Sequence, residues 1–254
     1  MQDEPGRVII ITGAASGIGA AVARRIAGPG TSLLLHTRKN RAGLAEVAAG
    51  CVEFGGRVEM VVGDLADPEV PAMLVAQAKT SFGRVDQIVS NAGQATRARF
   101  GTMQPEDLQA AFEAMPVAFL RLVDAALTDL ESSGWGRVVA ISSFVAHVFG
   151  TADLLFPATS AAKAALEALV KALAVQLGPT GTTANAVVPG FTRKQGGGHL
   201  AAPSQSLVTA AAITPTGRLT EPADVAAAVE FLLSRAAGQI TGQTVHVDGG
   251  LLLP

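Results

Sequence analysis

The stretch VIIITGAASGIGAAVARRIAG, residues 8–28, joins an apolar strand to a helix through a glycine-rich turn. Three glycines stand in that turn, at Gly13, Gly17 and Gly19. Glycine permits a tight turn and lets the backbone approach a diphosphate, and the helix N-terminus offers free N–H groups at the positive end of its dipole. Because the glycines lie between a strand and a helix, this stretch predicts a dinucleotide-binding unit.

Short aliphatic runs and longer helical runs alternate along the rest of the chain. Apolar strands without alternation predict burial on both faces of a sheet, and helices between them predict parallel crossovers. We therefore expect residues 1–254 to form one α/β domain, a Rossmann-type doubly wound parallel sheet of seven strands flanked by helices. The predicted strands lie within 7–12, 31–37, 57–64, 85–93, 136–143, 182–190 and 243–250.

One long segment, about residues 190–215, shows neither a strand nor a helix pattern. It contains three consecutive glycines, Gly196, Gly197 and Gly198, which give the backbone unusual freedom. A loop of this length inside a compact domain is typical of a functional lid. We predict a flexible lid over the substrate there.

The composition excludes several classes of function. Charged residues make up 16% of the chain and the formal net charge is -2, so we expect no surface for nucleic acid or an anionic membrane. One cysteine and four scattered histidines predict neither an intramolecular disulfide nor a metal site. No apolar run has the length of a membrane span, and the polar N-terminus is not typical of a signal peptide. We expect a cytoplasmic protein that acts on a small molecule.

The order of several short motifs resembles that of the classical short-chain dehydrogenase/reductase family. The motifs are TGxxxGIG at 12–19, NAG at 91–93, ISS at 141–143, NAVVPGFT at 185–192, and GRLTEPADVAAAVEFLLS and ITGQTVHVDGG at 217–234 and 240–250. The resemblance covers essentially the whole chain and implies a nicotinamide dinucleotide cofactor. The chain resembles a divergent member, because it contains no tyrosine, and the family's catalytic residue is a tyrosine.

The resemblance implies a cofactor site spread over six parts of the chain. Asp64 would bind the adenine, Asn91 would steady the sheet beside the cofactor, and Ile18 and Gly19 would lie under the diphosphate. The residues implied at the cofactor are Gly13, Ser16, Gly17, Ile18, Gly19, Thr37, Arg38, Asp64, Leu65, Asn91, Ala92, Gly93, Lys163, Pro189, Gly190 and Thr192.

The end of the second strand, LLLHTRKN, favours NADP(H) over NAD(H). An acidic residue at this position selects NAD(H), whereas a cation pairs with the 2′-phosphate of NADP(H). No Asp or Glu stands there; Arg38 supplies a guanidinium, with Thr37 and Lys39 beside it. Ala15 stands in the glycine turn, where some NADP(H)-binding members of the family carry an additional basic residue, so NAD(H) is not excluded.

The catalytic set implied by the resemblance is incomplete. Lys163 matches the family's lysine and Ser143 its serine, with Ser142 as the alternative. Thr159 occupies the tyrosine position four residues before Lys163, on the same helix face. Met115 occupies the asparagine position. An aliphatic hydroxyl is far too weak an acid to replace a phenol, whose pKa is about 10.

Few other side chains are candidates to replace the missing acid. His147, His199 and Asp153 lie in loops near the implied site, and Phe156 stands where enoyl reductases of the family place a tyrosine. Three functions stay open: reduction of a conjugated C=C bond or a carbonyl group, a catalytically silent NADP(H)-binding protein that acts as a sensor or assembly subunit, and non-redox chemistry at His147. The resemblance also implies a homotetramer or homodimer, joined through helices at 106–132 and 159–177 and through the C-terminal strand.

Overall fold

The computed structural model describes residues 6–151, 154–193 and 204–253. In this part of the chain, seven strands form one parallel sheet in the order β3-β2-β1-β4-β5-β6-β7. The predicted fold class is confirmed. The strands are β1 (Arg7–Ile11), β2 (Thr31–Thr37), β3 (Arg57–Val62), β4 (Gln87–Ser90), β5 (Arg137–Ile141), β6 (Thr183–Pro189) and β7 (Thr244–Val247).

Helices cover both faces of the sheet because successive strand residues on both faces are apolar. Ile9 and Ile11 of β1 pack toward one helical layer, and Val8 and Ile10 pack toward the other. The first layer holds α1 (Gly17–Ile26), α2 (Arg41–Glu53) and α8 (Pro222–Leu233), and the second holds α3 (Glu69–Phe82), α5 (Ala118–Ser132) and α6 (Pro157–Leu177). Helix α4 (Pro105–Phe112) precedes α5.

The edge strand β3 departs from the expected burial on both faces. Met60 and Val62 are 43% and 39% exposed, although both are apolar. A strand at the edge of a sheet has a neighbour on one side only, so sequence pattern alone overestimates its burial.

The segment 190–215 is not irregular throughout, which corrects the expectation that it contains neither a strand nor a helix. Residues 204–212 form helix α7 (Ser204–Ala212), and Ala210 is buried. Its alanine-rich end, Ala210–Ala212, has high helix propensity, which the nearby glycines obscured. Residues 194–203, and with them the predicted flexible centre of the lid and His199, lie outside the described residues.

The direction of chain progress along the sheet reverses between β1 and β4. In open α/β sheets, ligands bind at this crevice, beyond the carboxyl ends of the strands. The glycine turn follows β1 and the NAG motif follows β4, so both motifs lie at the reversal point.

Candidate active site

The glycine turn forms a cradle whose shape depends on residues without a Cβ. Gly13 and Gly17 have φ of +66° and +56°, in the left-handed region that favours glycine. A Cβ on Gly19 would collide with the Gly13 carbonyl oxygen and lie 2.6 Å from Nδ2 of Asn91. Ser16 precedes α1 without capping it, and no acidic residue occupies the first turn. The first N–H groups of α1 are therefore suited to an anion.

Asn91 fastens the end of β4 to the glycine turn. Its Nδ2 donates to the backbone carbonyls of Thr12 and Gly13 over 2.9 and 3.0 Å. In return, Thr12 Oγ1 accepts from the backbone amides of Asn91 and Ala92 over 2.9 and 3.0 Å. Thr12 was not among the predicted site residues, although the TG pair that follows β1 carried its signal.

A group of cations follows β2. Thr37 is buried, whereas Arg38, Lys39 and Arg41 are exposed. The Asn40 side chain caps α2 by accepting from the Gly43 amide over 3.0 Å. No carboxylate stands between residues 37 and 41, so the local charge is positive.

The predicted adenine-side residues begin where β3 ends. Leu65 is buried, and Asp64 accepts from the Ala66 amide over 3.1 Å, which fixes its own turn. His36 of β2 holds the preceding residue through a 2.9 Å hydrogen bond between Nε2 and the Gly63 carbonyl. Burial lowers the pKa of His36, against the opposing effect of that hydrogen bond. His36 therefore bonds as a neutral imidazole, a role that sequence analysis did not assign.

Lys163 lies buried on α6 with its ammonium group at the end of β5. Its Nζ donates to the Ile141 carbonyl over 2.6 Å. Burial lowers the pKa of Lys163 from 10.5 to about 8, and the charge of Glu167 opposes that shift. A Cβ on Gly93 would lie 3.2 Å from Nζ and 3.3 Å from Sδ of Met115, so Gly93 leaves room for both side chains.

Met115 lies in a distortion of the long helix. Residues Glu113–Val117 form a π-helical turn between α4 and α5, and Pro116 lies inside it. Proline removes a backbone N–H, and such a turn accommodates the missing hydrogen bond. Met115 is buried and presents a thioether where the resemblance implies an amide.

Thr159 and Ser143 both make hydrogen bonds to backbone groups. Thr159 Oγ1 accepts from the Thr96 amide over 3.1 Å and donates to the Gln94 carbonyl over 3.4 Å. Ser143 Oγ accepts from the Val145 amide over 3.4 Å, at the start of a short 3-10 helix. The structure thus brings Thr159, Lys163 and the loop after β4 together.

His147 is directed toward α6. Its Nε2 lies 3.0 Å from Oε1 of Glu167, and the same carboxylate accepts from the hydroxyl of Ser142. The His147 ring lies 5.0 Å from that of His246, whose Nδ1 is 3.7 Å from Asp248. Asp153, the other loop candidate, lies outside the described residues.

The loop after β6 carries the predicted nicotinamide-side residues. Gly190 donates to the Val247 carbonyl over 3.1 Å, and its missing Cβ would lie 2.9 Å from Asp248 Cα. Thr192 Oγ1 donates to the Gly190 carbonyl over 3.0 Å. Pro189 ends β6, so the loop leaves the sheet at the same edge as the glycine turn.

A parallel sheet with a glycine turn at its reversal point defines a Rossmann-type α/β protein. A family model described as "Enoyl-(Acyl carrier protein) reductase" matches residues 13–252. An oxidoreductase of Mycobacterium tuberculosis is 35% identical over 249 residues, covering 98% of this chain and 93% of that protein. An L-rhamnose 1-dehydrogenase (NAD(P)(+)) of Azotobacter vinelandii is 34% identical over 251 residues, 97% of each chain.

Solved structures agree with this assignment. A Serratia marcescens short-chain dehydrogenase/reductase is 27% identical, with a TM-score of 0.88 and coverage of 98% of both chains. L-sorbose reductase from Gluconobacter frateurii, complexed with NADPH and L-sorbose, is 26% identical, with a TM-score of 0.86 and the same coverage. The chain belongs to the classical short-chain dehydrogenase/reductase family, and its relatives are oxidoreductases.

The described residues offer neither a membrane-spanning helix nor a metal-binding cluster. None of the described helices is long and apolar enough to cross a membrane. In the same part of the chain, no group of three or more His, Cys, Asp or Glu side chains is placed to hold a metal ion.

Proposed function

We propose that this protein is an NADP(H)-dependent oxidoreductase with a non-standard active site, which reduces small molecules that carry a conjugated C=C bond or a carbonyl group. The observation that carries the proposal is the buried ammonium of Lys163 beside Gly93, at the edge of the sheet where the glycine turn lies. A lysine is costly to bury, so its place at this cleft favours a functional role.

The residues present fit a dinucleotide. A Cβ at Gly17 would meet open space, and this opening beside the uncapped start of α1 suits a diphosphate. The exposed Arg38 and Lys39 suit a 2′-phosphate. Bound NADPH supplies a hydride. We assign the proposed contacts to Gly13, Ser16, Gly17, Ile18 and Gly19 at the diphosphate, Thr37 and Arg38 at the phosphorylated ribose, Asp64 and Leu65 at the adenine, and Asn91, Ala92, Gly93, Lys163, Pro189, Gly190 and Thr192 toward the nicotinamide.

A conjugated alkene is the substrate that suits this side-chain set best. Its reduction needs hydrogen-bond donors for the negative charge that develops on the carbonyl oxygen, and the proton goes to carbon. Ser143 and Lys163 offer such donors, and water can deliver the proton. Thr159 lacks a titratable hydroxyl, so direct carbonyl reduction loses its usual acid. The family model's description as an enoyl reductase supports this preference.

The hydroxyl of Thr159 also supports a second candidate function. It is engaged with backbone groups of Thr96 and Gln94, so its catalytic role requires these bonds to break. A protein that binds NADP(H) without turnover, as a sensor or an assembly subunit, would show the same arrangement.

Assembly and location belong to the same proposal. Leu120 on α5 and Val175 on α6 are 45% and 80% exposed, so apolar surface is available on the two helices expected to join subunits. We propose a homotetramer or homodimer. The single cysteine, Cys51, is buried and unpaired, which suits a reducing compartment such as the cytoplasm.

The test measures NADPH oxidation with purified protein and separate panels of conjugated enones, ketones and aldehydes, with Lys163→Met as the matched variant. NADPH affinity is measured in parallel by calorimetry. Turnover confined to enones and lost in Lys163→Met supports the reductase. Fast ketone reduction contradicts the role given to Thr159. NADPH binding without turnover on any panel favours the silent homologue, and absence of binding overturns both.

A further inference from the structure

A buried carboxylate lies one helical turn beyond Lys163. Glu167 is 6% exposed, and it follows Lys163 by four residues on α6, so both side chains project from the same helix face. Its carboxylate is held from two other elements, by the hydroxyl of Ser142 after β5 and by Nε2 of His147 at 3.0 Å. An acidic side chain is rarely this buried unless it is hydrogen-bonded or paired with an opposite charge.

Among the described residues, two elements that adjoin Lys163, the π-helical turn and the segment 91–93, offer it no unpaired carboxylate. The acid of the π-helical turn, Glu113, pairs with Arg121 over 2.8 Å. The segment 91–93 carries no charged side chain. Within the described part of the chain, Glu167 is therefore the carboxylate that acts on the Lys163 ammonium, and its charge opposes the lowering of the pKa of Lys163 by burial.

We propose that Glu167 is a positioning residue, which Ser142 and His147 fix in place and which keeps the Lys163 ammonium charged in the cleft. This inference rests on the proposed function only for the consequence, namely that a charged Lys163 binds the cofactor. The side chain of His147 is 30% exposed, so the hydrogen-bonded pair of Glu167 and His147 is accessible to solvent on the His147 side.

The experiment follows the titration of individual lysines by NMR in the intact protein. The sequence contains five lysines, Lys39, Lys79, Lys163, Lys171 and Lys194, so ¹³C-labelled lysine gives a simple spectrum. We expect Glu167→Gln to lower the titration midpoint of Lys163 by about one pH unit or more. Lys171 lies four residues after Glu167 on the same helix but is exposed, so its midpoint should move far less.

Two further variants separate charge from packing. Glu167→Asp keeps the negative charge, so the titration midpoint of Lys163 should lie closer to the wild-type value than it does in Glu167→Gln. Ser142→Ala removes a hydrogen bond to Glu167 but leaves the charges of Glu167 and Lys163. An unchanged Lys163 midpoint in Glu167→Gln overturns the proposal. Equal shifts in Glu167→Gln and Ser142→Ala also overturn it, because packing would then be the cause.

NADPH affinity, measured at pH 6 and pH 8.5, links the inference to the cofactor. We expect Glu167→Gln to weaken binding more at pH 8.5, where more of its Lys163 has lost the proton. If Lys163 titrates as expected but NADPH affinity does not follow, the inference about Glu167 stands and the cofactor role given to Lys163 fails.

Discussion

Thr159 accepts a hydrogen bond at Oγ1 from the backbone amide of Thr96 over 3.1 Å and thereby joins α6 to the loop after β4. Thr159→Val keeps the shape but removes the hydroxyl, so we expect it to lower the free energy of unfolding by about 1 kcal/mol. Urea unfolding checks this value. Thr159→Ser retains the acceptor and serves as the control, and a Val variant as stable as the wild type contradicts the structural role.

A tyrosine at the same position should change the chemistry. Thr159→Tyr places a phenol four residues before Lys163, and a nearby ammonium lowers a phenol pKa toward neutrality. We expect ketone reduction to rise at least about tenfold, within the range of general acid catalysis. Because Thr159 is 3% exposed, the ring must displace the Gln94–Thr96 loop, and stability should fall.

The matched control for that variant is Thr159→Phe, which has the same ring and no hydroxyl. Steady-state rates with one ketone and one enone compare the two variants. If both accelerate ketone reduction equally, the gain comes from the displaced loop and not from the phenol.

Two helical glycines should respond in opposite directions to alanine. Gly19→Ala places a methyl group 2.6 Å from Nδ2 of Asn91, so we expect lost stability and lost NADPH binding. Gly50→Ala, whose Cβ would lie at an ordinary contact distance of 3.8 Å from Arg24 Nε, should stabilise the fold by about 0.5–1 kcal/mol and leave NADPH binding intact. Thermal unfolding with and without NADPH measures both effects; tight NADPH binding by Gly19→Ala would contradict the cradle.

Arg38 should decide the choice between the two nicotinamide cofactors. Arg38→Ala removes the proposed partner of the 2′-phosphate, so we expect NADPH affinity to fall about tenfold while NADH affinity stays within about twofold. Calorimetric titration with each cofactor provides the measurement. Arg57→Ala, which removes an arginine from β3 and not from the turn after β2, is the control for overall charge. Equal losses of NADPH and NADH affinity in Arg38→Ala would contradict a contact between Arg38 and the 2′-phosphate.

The fold followed from the sequence more completely than the site did. Strands β1 and β5 are apolar at every position after their first arginine, and Gly13 follows the end of β1, so the local sequence pattern predicts both strands. The exposure of β3 depends on its place at the edge of the sheet, which the sequence pattern does not reveal. Helix α7 was not predicted because the preceding run of three glycines indicated a loop.

Side-chain partners were the harder part to predict. The pairing of Thr159 with Thr96 and of His147 with Glu167 joins residues that are 63 and 20 positions apart. Such contacts depend on how loops fold against α6, and spacing along the chain does not encode them. His36 acts through a backbone partner, which a motif built from side-chain identity does not reveal.

Lys163 should make stability rise with pH in the alkaline range. Burial lowers its pKa from 10.5 to about 8 in the folded state, so between these values the unfolded chain binds more protons. The burial of the Lys163 ammonium therefore lowers the free energy of unfolding by its full amount below pH 8, and this loss disappears as the pH approaches 10.5. We expect Lys163→Met to remove a gain of about 2 kcal/mol between pH 7 and pH 10, from about 1.4 kcal/mol per pKa unit. Urea unfolding at both pH values gives the difference for each protein. Lys171→Met, on the exposed side of the same helix, should behave as the wild type, and parallel pH dependences for Lys163→Met and wild type would refute the buried, charged lysine.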